Sequence, residues 1–294
     1  MRVLISGAGG LVGTELIKQL KALGHEPIAL VRREAAGDHE ISWKPGVERL
    51  DPEIMESIDA VVNLGGATTG RIPWTKNYMQ TLISSRLDTT KTLVEAINAS
   101  KNQPKVLVSG SASGIYGDRG DELLDETAGK GEGFLADLAS AWEAEAQKAN
   151  TRVVLARTTL VMSKKLGALG RLLPLIKAGI GGPLGSGNQW WAWISLEDEA
   201  RAINHLIDND ETTGAYNLTA PEPATCKEMV VALGKALKSP TFFRVPSWAM
   251  RLLVGVAADE LLLCSQKMIA TKLLSTGFEF NHPTLKDAVD YVVS

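Results

Sequence analysis

Gly7, Gly10 and Gly13, spaced three residues apart, are the residues whose type and spacing speak most directly of chemistry. An apolar run fit for a buried strand precedes them at 3–6, and a helical pattern follows them from Leu11 and Val12 to position 23. A strand that breaks into glycines and feeds a helix is how a protein grips a dinucleotide diphosphate. The glycines allow a tight turn, let the backbone approach phosphate oxygens, and let the helix pack on the strand. The unpaired N–H groups and partial positive charge of the helix start then face the phosphates. Gly7, Gly9, Gly10, Leu11, Val12 and Gly13 are therefore expected to bind a cofactor. A purely structural glycine turn is the alternative, and the strand–turn–helix context argues against it.

The residue after the second strand selects between dinucleotides: an acid bonds the free ribose 2′-OH of NAD, whereas an arginine pairs the 2′-phosphate of NADP. Here the second strand ends at Val31 and is followed by Arg32 and Arg33, about 20 residues beyond the glycine turn as that geometry requires. Arginine binds phosphate through charge-assisted, bidentate hydrogen bonds. Glu34 is the competing acid. The sequence predicts NADP(H), held by Arg32 and Arg33.

These groups need a scaffold. Short apolar runs alternate with longer helical periods through the first half, the mark of βαβ units and a parallel sheet. Strands are expected at 3–6, 27–31, 60–64, 106–109 and 153–157, and helices at 12–23, 75–99 and 134–149. Ligands of an open α/β sheet lie beyond the carboxyl ends of its strands. That puts Leu64, Gly65, Gly66, Ala67 and the segment from Ser109 to Tyr116 on the same rim as the glycine turn. Trp190, Trp191 and Trp193 fall within four residues of a chain only 5% aromatic. They read as packing on the sheet or as a platform over a pocket. A further helix is expected from 196 and a short strand at 216–219. The expected division is 1–158 with 194–219 as a Rossmann cofactor domain, and 159–193 with 220–294 as a small, mainly helical substrate cap.

Composition narrows the partners. A net charge of −3 carries no basic footprint for nucleic acid. Cys226 and Cys264 have no metal-like spacing, and His25, His39, His205 and His282 are scattered, so no metal is expected. Two unpaired thiols fit a reducing compartment. The most apolar late run, 248–263, is interrupted by Arg251, Asp259 and Glu260 and cannot span a bilayer. The expectation is a soluble, cytoplasmic protein acting on a small molecule.

With the glycine turn, the Asn63-to-Ala67 turn and the run from Ser109 through Tyr116 to Gly117 in view, the chain resembles the extended short-chain dehydrogenase/reductases of the NAD-dependent epimerase/dehydratase family. It looks most like the subgroup named for nucleoside-diphosphate-sugar epimerases, some of which carry a cell-division-inhibitor-like label. The matching stretches are Trp74-Thr75, Ile83 to Arg86, Gly182 to Gly187, 220–223 and 277–283. The resemblance implies a Rossmann domain with a C-terminal substrate domain, and it puts Arg86 with the cofactor. It also implies pairing of two copies through the helices at 75–99 and 134–149, with Trp142 on the contact face.

The departure from the family is specific. Its chemistry uses a tyrosine four residues before a lysine, which lowers the phenol's pKa for acid–base work. Here Leu82, Gly120 and Ala220 stand four residues after Tyr78, Tyr116 and Tyr216, and Tyr291 has no such neighbour. Ser111 best matches the family's active-site hydroxyl, with Ser113 one register away, and Tyr116 holds a position that touches substrate. Ser111 and Tyr116 are the expected catalytic residues. Asp118, Asp137 and the pair Lys164–Lys165 are lesser candidates, more simply read as solvated. Two readings stay open: an oxidoreductase or epimerase on a small polar, sugar-nucleotide-like substrate, and a non-catalytic NADP(H)-binding sensor or scaffold.

Overall fold

Val3, Leu4 and Ile5 are all fully buried, so the first strand is covered on both faces. Such a strand reads as a continuous apolar run because helices shield both sides of a parallel sheet. The computed structural model describes residues 1–164 and 168–294. Its first half runs β1 (Arg2–Ser6), α1 (Leu11–Ala22), β2 (Glu26–Val31), β3 (Glu40–Ser42), β4 (Ala60–Asn63), α2 (Lys76–Ala99), β5 (Val106–Ala112), the two-residue β6 (Leu123–Leu124) and α3 (Phe134–Ala146). Next come β7 (Arg152–Thr158), β8 (Leu160–Met162), α4 (Ala168–Lys177), β9 (Trp190–Trp191), β10 (Trp193–Ser195), α5 (Leu196–Asp208) and β11 (Gly214–Leu218).

Seven strands form one sheet in the order β11-β7-β5-β4-β1-β2-β3, and every pairing in it is parallel. Chain order reverses beside β1, which opens a crevice above its carboxyl end. On one face Leu16 and Leu20 of α1 and Ala200, Ile203 and Leu206 of α5 pack on Val3, Ile5, Val108 and Ala156. On the other, Leu93, Val94 and Ile97 of α2 and Ala146 of α3 cover Leu4, Val61, Leu107 and Leu155. This is a Rossmann-like, doubly wound fold.

The sequence-derived elements are present with ends moved by up to three residues. β5 continues to Ala112 because it pairs with β7 as far as Thr158, and α3 ends at Ala146 rather than at 149. The edge strand β3 was not expected. Only three residues long, it is half-exposed and carries no apolar run of its own.

The remaining elements are β12 (Ala224–Thr225), α6 (Cys226–Ala236), α7 (Ser247–Val254), β13 (Lys267–Met268), α8 (Thr271–Ser275) and α9 (Leu285–Val293). The tryptophan cluster belongs to this helical C-terminal region. Trp191 and Trp193 are buried with Met229, Val230 and Leu233 of α6 and Val289 of α9. Trp190 stays half-buried, donating to Asp121 at 2.7 Å. The cluster is a core, not a platform over a cleft. The region is tied back to the sheet domain by Asp198, whose buried carboxylate accepts from the backbone N–H groups of Asn281 and His282 at 2.8 Å. Trp142 does not serve an outer face: it is buried, and its indole N–H donates to Thr90. The expected use of Trp142 in pairing two copies is thereby corrected. Among the described residues no helix is long and apolar enough to cross a membrane.

Candidate functional site

The glycine turn is built so that no other residue fits at Gly7 or Gly13. Gly7 has φ +71, and a Cβ there would lie 2.5 Å from the Leu64 carbonyl oxygen. A Cβ on Gly13 would meet the Gly7 carbonyl at 2.4 Å, whereas one on Gly9 would meet nothing within 4 Å. The turn is thus closed toward the protein and open toward the crevice. Gly10 caps α1 without any side-chain hydrogen bond, which leaves the first N–H groups of the helix, from Leu11 on, free for an anion. A diphosphate fits this cradle.

The β4 turn is held against it. Ser6 Oγ donates to Asn63 Oδ1 at 2.6 Å and accepts from the Gly65 N–H at 3.1 Å. Asn63 Nδ2 donates in turn to Thr90, which also receives the Trp142 indole N–H. This buried chain fixes Leu64, Gly65 and Gly66 beside Gly7. Arg86 lies under the turn, 3.3 Å from where a Gly66 Cβ would be, and donates to the carbonyls of Ala67 and Leu82. Among the described residues it has no carboxylate partner, and burial pulls its pKa down to about 10.

The two arginines after β2 divide. Arg33 forms a fork with both oxygens of Glu40, at 2.6 and 2.5 Å. Those bonds, with the Ala36 N–H, hold the Glu40 carboxyl down at about 2. Arg32 is exposed, and among the described residues no hydrogen bond or ion pair engages it. The unexpected strand β3 therefore consumes one arginine and leaves the other free.

Ser111 and Tyr116 come together in a buried network. Ser111 Oγ donates to Glu143 Oε1 at 2.6 Å, and Arg157 donates to both oxygens of Glu143 at 2.8 and 3.0 Å. Arg157 also donates to the Tyr116 hydroxyl at 2.8 Å, and that hydroxyl donates to Asn217 at 2.7 Å. Tyr116 is fully buried, and burial raises its pKa against the opposing pull of Arg157. A phenol so enclosed is not open to a ligand, which revises the expectation that it meets substrate. Ser113, by contrast, is half-buried, opens the short 3-10 turn Ser113–Tyr116, and has no hydrogen bond in the described structure. Of the two serines, it is the hydroxyl left free.

The start of α3 is apolar. Leu135 and Leu138 are buried with Trp74, Leu82 and Ala257, and Trp74 stands edge-on to Phe134 at 5.7 Å. Its first N–H groups, at Phe134 and Leu135, are taken by Glu260 at 2.9 and 3.0 Å. A cavity of about 240 Å³ lies beside it, lined by Gly114, Asp118, Glu132, Glu260 and Gln266. A larger, open groove of about 710 Å³ between α1 and α5, lined by Lys18, Gln19, Arg201 and His205, is on the outer surface, away from the strand ends. Asp137 pairs with Lys130 at the surface, and Asp118 accepts from the Ser265 N–H. Lys164 is exposed, and Lys165 falls outside the described residues.

Sequence reasoning missed two groups here. Glu143 and Glu199 are charged residues at inward positions of α3 and α5, 7% and 0% exposed respectively. Helical periodicity alone would have flagged both, since each interrupts an apolar face.

Comparison with known proteins agrees with this architecture. Residues 3–219 match the model of the NAD dependent epimerase/dehydratase family, and 245–292 match a domain of unknown function, DUF1731. The chain belongs to the NAD-dependent epimerase/dehydratase family. An epimerase family protein of Mycobacterium tuberculosis is 40% identical, over 99% of this chain and 97% of its own length. The chloroplastic SDR39U1 homologue of Arabidopsis thaliana is 34% identical, over 98% and 86%. The crystal structure of the human epimerase family protein SDR39U1 with NADPH superposes with a TM-score of 0.91 at 31% identity, covering all of both chains.

Proposed function

We propose that this chain binds NADP(H) in the β1–α1 cradle and transfers a hydride to or from a small polar, sugar-nucleotide-like substrate, without the Tyr–Lys pair of its family. The observation that carries the cofactor half is the free Arg32 beside an uncapped helix start, with Arg33 neutralised by Glu40. Gly7, Gly9, Gly10, Leu11, Val12 and Gly13 take the diphosphate, Leu64 to Ala67 wall the crevice, and Arg86 supplies a second positive charge. The NADPH in the human relative is in keeping with this reading. When bound, the cofactor supplies the hydride, and the protein must bind, orient and provide a proton partner.

Ser113 is the hydroxyl placed to hold a substrate oxygen at the end of β5. Ser111 and Tyr116 act one layer below, fixing the Ser113–Tyr116 turn through Glu143 and Arg157. Residues 1–158 and 194–219 serve the cofactor, and 159–193 with 220–294 serve the substrate. A sensor without turnover is the second reading. The feature that favours it is the apolar start of α3, where Leu135, Leu138 and Ala139 are buried and no lysine or tyrosine stands.

Nicotinamide absorbance, followed while small carbonyl compounds and sugar nucleotides are added to protein and NADPH, separates the two. Substrate-dependent oxidation that falls about 10- to 100-fold in Ser113→Ala, the scale of losing one positioned donor, supports the enzyme. Tight cofactor binding without oxidation, or turnover indifferent to Ser113→Ala, removes the role given to that hydroxyl.

A further inference from the structure

Glu199 is wholly buried in the first turn of α5, on the face that packs against the sheet. Its Oε1 accepts a hydrogen bond from Thr158 Oγ1 at 2.6 Å, and its Oε2 has no hydrogen-bond partner among the described residues. A buried polar atom left open costs stability and calls for an explanation. Its place in the fold supplies one. Thr158 closes β7 in register with Ala112 at the end of β5 and Leu218 at the end of β11, on the carboxyl rim where ligands of this fold lie. α5 packs on α1, whose start is the diphosphate cradle. Along this rim β2, which leads into Arg32, lies on one side of β1, and β4, β5 and β7 follow in order on the other, so a dinucleotide whose 2′-phosphate met Arg32 would have those three strand ends ahead of its other half.

We propose that Glu199, enclosed below the rim and linked to it through Thr158, is the group through which this chain distinguishes oxidised from reduced cofactor: a neutral acid while the bound nicotinamide is reduced and uncharged, a carboxylate when it is oxidised and cationic. The inference rests on the NADP(H) reading above. Burial pushes the Glu199 carboxyl up to about 8, with the Thr158 hydroxyl pulling modestly the other way. A positive charge brought near such a group favours its ionised form. The equilibrium is protein acid plus NADP⁺ giving protein carboxylate with NADP⁺ bound, plus one proton released. No covalent bond to carbon changes and no electron moves.

Among the described residues no ion pair or hydrogen bond joins another charged side chain to this carboxyl. On α5, Glu197 bonds Asn281, and Asp198 and Arg201 pair with each other and with the C-terminal segment. On α1, Glu15 and Lys18 meet each other at the outer surface. Arg157, the neighbour of Thr158, points to the opposite face and is held by Glu143. From β10, Ser195 caps α5 through Asp198, and β5 and β8 present no titratable side chain on this face.

The test is calorimetric titration of NADP⁺ and NADPH from pH 6 to 9 into the wild type, Glu199→Gln and Thr158→Val. The 2′-phosphate titrates identically in both cofactors and cancels in the ratio of the two dissociation constants. As pH rises toward about 8 the ratio is expected to move in favour of NADP⁺ by up to about tenfold per pH unit, one linked proton, and to be flat in Glu199→Gln, which keeps the shape and the hydrogen bond. Thr158→Val should retain the slope and move its midpoint upward, a result no merely structural role produces. A pH-independent ratio in the wild type, or an equal slope in Glu199→Gln, overturns the inference while leaving NADP(H) binding intact. Failure of both cofactors to bind overturns the cofactor reading and this inference with it.

Discussion

Arg157→Ala is expected to lower the unfolding free energy by about 3–5 kcal/mol, the cost of leaving a buried carboxylate without its cation. The guanidinium makes two hydrogen bonds to Glu143 and one to the Tyr116 hydroxyl, and it stands 5.2 Å from the Tyr116 ring centre. Glu143 and Arg157 each keep only about a tenth of their side chain in contact with solvent, 10% and 10%. Removing the cation therefore strands an ionised group in a medium that solvates it poorly. Arg157→Met with Glu143→Leu removes both charges and should recover most of the loss, because apolar replacement of a buried pair is often close to neutral. Urea unfolding of the three proteins checks this. A single-variant loss below about 1 kcal/mol, the value typical of an exposed pair, would mean that the network does not hold the site together. The consequence for the site is direct, since the same network anchors Ser111 and Tyr116 on either side of the free Ser113.

Glu199→Leu should stabilise the protein, and the gain should grow with pH. The carboxyl titrates near about 8 when folded and in the ordinary carboxylate range when unfolded. Between those values the folded state holds a proton that the unfolded state has lost, so wild-type stability falls as pH rises from about 5 to about 8 and then levels. Below that window the two states bind the proton equally and the penalty vanishes. The shift corresponds to about 2–5 kcal/mol across the window. Leucine fills the same apolar surroundings without a proton to hold, so its curve should lack this slope, and the two proteins should differ most at pH 8 and above. Thermal unfolding of both proteins at several pH values reads the effect, and parallel curves would show that Glu199 is not the buried acid described here.

What the sequence made legible was the part governed by local rules. The glycine turn, the apolar strand β1 and the helices with 3.6-residue periodicity follow from residue type and spacing, and the family motifs follow from order along the chain. Pairings across long separations were not legible. β3 exists because Glu40 to Ser42 lie against Ala29 to Val31, and that contact alone decides that Arg33 is occupied and Arg32 free. Ser111 and Ser113 are equivalent in sequence, and only the approach of Glu143, 32 positions away, separates them. The tryptophans announced buried area but not which core would bury it. Their neighbours come from α6 and α9, far along the chain.

The central claim is that the crevice over β1 takes NADP(H) with Arg32 on the 2′-phosphate. Calorimetric titration of NADPH and NADH into the wild type and Arg32→Ala tests it most directly. NADPH should bind the wild type well ahead of NADH and lose about 10- to 100-fold in the variant, the worth of charge-assisted hydrogen bonds to one phosphate, while NADH is unchanged. Equal binding of the two cofactors by the wild type, or NADPH affinity untouched by Arg32→Ala, would contradict the account.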